Sequence, residues 1–143
     1  MGDDGHARVL REQWDWLASA ARADDAAARR GPSWVPPLAE ELVLAARESP
    51  LRRWYPYLSH NCLRFEDGLP FWEPGGGHGR EVPGSISYDT GGPGASAVFR
   101  VWRGRLLRTP DPVLVLTTPD AVTAVGTLVR VLERVPGLPK SVQ

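Results

Sequence analysis

The apolar residues of this chain change their spacing near Asn61, from a helical repeat to strict alternation, and that switch restricts the fold more than any other feature. Before it, Leu10, Trp14, Leu17 and Ala21 form one helical stripe, which predicts a helix over 7–30 stopped by Gly31-Pro32. A second helix is expected from Pro36-Pro37, because a proline in the first turn gives up no hydrogen bond. Leu38, Leu42, Ala45 and Ala46 make its inner face, and Ser49-Pro50 ends it. The aromatic run Leu51 to Ser59 then reads as the connection that docks the helices onto a sheet, opening with a short helical turn.

After the switch, Leu63 and Phe65 share one strand face, with Cys62, Arg64 and Glu66 on the other. Asp67-Gly68 is a two-residue hairpin signal and predicts a returning strand at Leu69 to Glu73, held to a sheet edge by Pro70. Further strands are expected at Ser85–Asp89, Ser96–Trp102 and Arg105–Arg108, and the apolar run Val113–Leu116 suits a central or well-buried position. Thr118 is the expected N-cap of a last helix, with Pro119 as its first residue. Val122, Val125, Leu128, Val129 and Leu132 form its inner face, and Pro136-Gly137 closes it. Helices, then short-linked strands, then a helix predict an α+β fold. It has two N-terminal helices, an antiparallel sheet of about five strands and one C-terminal helix packed on the sheet. The chain reads as a single domain, 1–143, with a helical segment at 7–48, the sheet at 60–117, mobile loops at 74–80 and 90–95, and the last helix at 118–135.

Charge and composition exclude several functions. The 17 basic and 17 acidic side chains cancel, so duplex nucleic acid and anionic membranes are not expected partners. One cysteine, Cys62, permits no internal disulfide and no Cys-rich zinc site. The three histidines, His6, His60 and His78, have no helical or short-range spacing to one another, so no metal site is expected. Pro74–Gly79 has neither dinucleotide nor phosphate-loop spacing, so no cofactor is expected either. The polar start of the chain is unlike a signal peptide, and the apolar-rich stretch 121–135 carries Arg130, Glu133 and Arg134. A cytoplasmic location is the expectation.

Chemistry concentrates at Tyr57, His60, Arg64, Trp72 and Glu73. With Asp67-Gly68 as the turn, His60 would lie level with Glu73 and form an acid–base pair, the alternative being a solvated or structural histidine. Asp89 is a second carboxylate for the same role. The Gly-rich stretch 75–79 reads either as a plain surface loop or as a lid that brings His78 over a pocket. Arg100, Arg103, Arg105 and Arg108 could grip an anion or simply protect a sheet edge. Of the six tryptophans, Trp14 reads as core, whereas Trp16, Trp34 and Trp102 read as partly exposed and suited to a binding surface.

The run from Leu51 through Pro56-Tyr57 and Ser59-His60 to Leu63-Arg64-Phe65 resembles a family of small proteins from GC-rich filamentous bacteria. They are labelled natural product biosynthesis proteins and have no assigned biochemical activity. The likeness extends to the placement of the last helix; Glu66 and the glycines at 75–79 depart from the family pattern. It implies an accessory role in a biosynthetic pathway and transfers no catalytic residue. The resulting expectation is a protein that binds a partner protein or small molecule through Tyr57, Arg64, Trp72, His78, Arg100 and Trp102. Its rivals are a small cofactor-free enzyme, a cyclase, isomerase or dehydratase using His60 and Glu73, and a toxin-immunity protein.

Overall fold

The computed structural model describes residues 2–31, 35–90, 96–105 and 112–138. Helices α1 (Gly2–Arg30) and α2 (Ala39–Arg47) lead through a 3-10 turn at Pro50–Arg53 into β1 (Tyr55–Ser59), β2 (Cys62–Glu66), β3 (Gly84–Asp89), β4 (Val98–Arg103) and β5 (Val113–Thr118). Helix α3 (Ala121–Glu133) follows. The five strands form one antiparallel sheet in chain order, and α3 packs across β3, β4 and β5. The α+β arrangement expected from the sequence is therefore present. Among the described residues, no helix is long and apolar enough to cross a membrane.

One face of the sheet is covered. Leu63, Phe65, Ile86, Tyr88, Phe99 and Val101 point at the helices and are buried, as their alternation requires. Trp14, Leu17 and Ala21 of α1, Leu42, Val43 and Ala46 of α2, and Ala124, Leu128 and Leu132 of α3 complete the core. The Trp14 ring lies 6.2 Å from Phe65, centroid to centroid, and its indole N–H donates to the carbonyls of Arg52 and Trp54 at 3.0 and 3.1 Å. Burial thus leaves no polar atom of that indole unpaired.

Helix α2 is capped from another helix. Leu38 offers no side-chain cap, but both carboxylate oxygens of buried Asp25 on α1 accept from the backbone N–H groups of Ala39 and Glu40, each at 3.0 Å. A carboxylate at a helix N-terminus satisfies orphan donors and meets the positive end of the dipole.

Four expectations are corrected. Asp67-Gly68 does not turn a hairpin: β2 pairs with β3, and Leu69–Glu73 is not a strand. Pro70 cannot donate to a ladder, and the Asp67 carboxylate instead accepts from the N–H of Arg80, where the chain returns. The true hairpin joins β1 to β2 through His60-Asn61. Val113–Thr118 is an edge strand, with Val113, Leu114 and Val115 exposed, because the last strand of a meander is an edge whatever its hydrophobicity. The N-cap of α3 is Asp120, which accepts from the N–H of Thr123, while Thr118 accepts from the N–H of Asp120. Val122, expected inside, is 70% exposed. Trp34, the loop residues 91–95, and Leu106, Leu107 and Arg108 of the expected short strand lie outside the described residues.

Two substitutions test this packing. Asp25→Asn leaves a buried helix N–H unpaired and should cost about 1–3 kcal/mol in chemical denaturation. Gly126→Ala, in the interior of α3, would place a Cβ near only the Arg130 Nη1, at 3.8 Å. It should stabilise by up to about 1 kcal/mol.

Candidate functional site

The site is built on the β1–β2 hairpin. Its pairing sets Tyr55 opposite Glu66, Tyr57 opposite Arg64 and Ser59 opposite Cys62, so these side chains lie off the core face that holds Leu63 and Phe65. The two-residue loop needs positive φ at its first position, and His60 supplies it at 57°. The Asn61 amide donates to the Tyr88 carbonyl at 2.7 Å and fastens the turn to β3.

Arg64 is the fixed point of the outer face. Its guanidinium lies 5.4 Å from the Tyr57 ring centroid and donates through Nη2 to Glu81 Oε2 at 2.5 Å. The Arg64 and Glu81 side chains are only 10% and 11% exposed. Arg64 Nε is buried without a hydrogen-bond partner. Burial pushes the Tyr57 phenol up against the opposing pull of Arg64. The Glu66 carboxyl is also raised, first by burial and then by the neighbouring Asp67.

The loop after β2 supplies the rest. The N–H of Glu73 donates to the Pro70 carbonyl at 3.1 Å, that of Gly76 to the Glu73 carbonyl at 2.8 Å, and that of Gly77 to the Leu69 carbonyl at 3.1 Å. A Cβ on Gly76 would sit 1.8 Å from the Pro70 oxygen, so the glycine allows a backbone approach that no other residue permits. These bonds hold Phe71 and Trp72 in edge-to-face contact, centroids 5.1 Å apart. Between the loop and the hairpin lies a cleft of about 330 Å³. Its walls are Tyr55, Tyr57, Phe71 and Trp72 with Pro56 and Pro70, and Gln13, Arg64 and Glu66 supply its polar atoms. A wider groove of about 750 Å³ between α2 and α3, lined by Ala45, Val125 and Gly126, holds none of the residues singled out from the sequence.

Three of the expected site residues, Tyr57, Arg64 and Trp72, therefore line one cleft. The His60–Glu73 pair is corrected: His60 is exposed in the turn beyond Ser59, whereas Glu73 acts on the Tyr55 phenol at the opposite end of β1. That pairing depended on a turn at Asp67-Gly68. Asp89 lies toward the His60 end of the sheet, but its carboxylate accepts from Arg100. Cys62 is no activated nucleophile, since burial pushes its thiol up. His78 is exposed and does not line the cleft. Arg100 and Trp102 share the outer face but are satisfied within it, Trp102 donating to Ser87 Oγ at 2.9 Å. Arg105 donates to the Glu81 carbonyl at 2.9 Å, Arg103 is exposed, and Arg108 lies outside the described residues. Among the described residues, no group of His, Cys, Asp or Glu is gathered to hold a metal ion.

Sequence reasoning missed Gln13, Phe71, Glu66 and Glu81. Phe71 was detectable as an aromatic beside Trp72 in a segment that Pro70 removes from the sheet. Glu81 was not, because its partner Arg64 is 17 residues away. Comparison with known proteins gives no match among family models, curated proteins or solved structures.

A structural role for His60 predicts a definite pattern. His60→Gly should hold or raise stability, because glycine takes positive φ freely. His60→Val should lower it by about 1–2 kcal/mol in thermal or chemical denaturation.

Proposed function

We propose that this chain is a cytoplasmic binding protein, an accessory component of a natural-product pathway, and that it recognises its ligand or partner in the cleft between the β1–β2 hairpin and the Phe71-Trp72 loop. One observation carries the reading. Phe71 and Trp72 are 81% and 57% exposed, yet they sit on a loop closed by backbone hydrogen bonds and a glycine contact. Scattered exposed apolar residues need no explanation, but an adjacent aromatic pair on a hydrogen-bonded loop beside a cleft supports a recognition role. The volume, about 330 Å³, matches the lower range of small-molecule sites. The pathway assignment rests on the likeness carried by Pro56-Tyr57, Ser59-His60 and Leu63-Arg64-Phe65.

The enzyme reading is weaker. The cleft's polar side chains are Gln13, Arg64, Glu66 and the tyrosines, with Arg64 bound to Glu81 and no histidine among them. The immunity reading calls for a strongly charged face, whereas Arg100 and Arg105 are engaged within the chain.

The test is tagged protein expressed in its native host, with retained metabolites and partners read by mass spectrometry. Phe71→Ala and Trp72→Ala should fold as the parent, within about 0.5 kcal/mol, because both side chains are exposed. They should lose the retained species and lower product formation. Trp16→Ala, at a 63% exposed position on α1 that does not line the cleft, should behave as the parent. Gly76→Ala should reproduce the loss without touching an aromatic residue. Identical retention by all these variants would overturn the reading.

A further inference from the structure

We propose that the cleft selects an organic cation, a protonated or quaternary ammonium group on an apolar body. This rests on the binding reading above and concerns the chemistry of the ligand. The argument begins with the charge already present. Among the described residues, Arg64 is the one cationic side chain lining the cleft; it donates to Glu81 at 2.5 Å with its buried Nε left unpaired, and the Arg64–Glu81 pair is about nine-tenths buried. What remains at the cleft is negative. Glu66 lines it half-buried, Asp67 follows at the end of β2, and Glu73 lies close enough to act on Tyr55. None of these three forms an ion pair with a described residue. Burial raises the Tyr55 phenol and the Glu66 carboxyl, and Glu73 and Asp67 respectively add to that rise, while Arg64 opposes it at Glu66.

The walls favour a cation as well. Tyr57, Phe71 and Trp72 present aromatic rings, whose faces attract positive charge. Arg64 over Tyr57 shows the same attraction inside the protein. An anionic ligand would meet the uncompensated carboxylates. A neutral apolar ligand would contact the rings but press against the half-buried Glu66 without pairing it, which is costly. A cation satisfies both the rings and the carboxylate.

Three soluble probes of nearly one shape separate these cases: choline, 3,3-dimethylbutanol and 3,3-dimethylbutyrate. Each is titrated into the full chain, with binding read from the Trp72 indole N–H resonance. Choline should bind at least about tenfold tighter than the alcohol, and the carboxylate more weakly still. Glu66→Gln should weaken choline about fivefold and leave the alcohol unchanged. Should that variant misfold, added salt on the parent protein gives the same comparison, weakening choline alone. Equal binding of choline and the alcohol, or no choline binding, would overturn the cation inference while leaving the cleft as the recognition site. Loss of Trp72 dependence in the host experiment would instead overturn the site itself.

Discussion

The indole of Trp14 is the joint on which the arrangement depends. Its N–H is shared between the carbonyls of Arg52 and Trp54, and its ring rests on Phe65. One side chain thereby connects α1 to the 3-10 turn, to the residue preceding β1, and to the core face of β2. The preceding residue of α1, Gln13, donates to the Pro56 carbonyl at 3.4 Å and lines the cleft. Tyr55 extends the same seam, donating its hydroxyl to the His6 carbonyl at 3.3 Å. The back wall of the cleft is thus set by the docking of α1 against the hairpin. Asp25, further along α1, fixes where α2 begins. A single long helix therefore positions both the core and one wall of the cleft.

The legible parts of the sequence were those governed by local periodicity. The helical stripe through Leu10, Trp14, Leu17 and Ala21 and the alternation through Cys62 to Glu66 each carry their geometry in adjacent residues. Strand position in the sheet is not local, so Val113–Leu116 looked central and is an edge. The turn at Asp67-Gly68 failed because two signals competed. The dipeptide favours a tight turn, but Pro70 two residues later cannot join the ladder that such a turn would start. The hairpin moved to His60-Asn61, a dipeptide with no glycine, where the register of Tyr57 with Arg64 outweighs the cost of positive φ. Of the site, Tyr57, Arg64 and Trp72 were found from residue type alone, while the His60–Glu73 pair fell with the turn that implied it.

The residues from Pro56 to Phe65 that stand out in the sequence have tasks in this hairpin. Pro56 and Tyr57 belong to β1, Ser59 and His60 lead into the turn, Leu63 and Phe65 enter the core, and Arg64 stacks on Tyr57. A motif with that distribution describes how the hairpin folds and carries no catalytic signature. The Gly-rich stretch also changes meaning. In the sequence it reads as a surface loop, and in the structure Gly76 also packs against the Pro70 carbonyl and Gly79 against Gly68. Glycine serves here as a means of close packing, and the loop so folded sets Phe71 and Trp72 beside the cleft.

The zero net charge of the chain turns out to be organised locally. On the outer face, Arg64 is matched by Glu81 and Arg100 by Asp89, each across strands or from the long loop. A nearly buried pair such as Arg64–Glu81 adds little net stability, because desolvation offsets most of the attraction, but losing one partner would be costly. Its effect is to hold the guanidinium against the Tyr57 ring, beside the cleft. With Arg64 paired to Glu81, Glu66 is the carboxylate that lines the aromatic cleft, beside the one arginine of its lining.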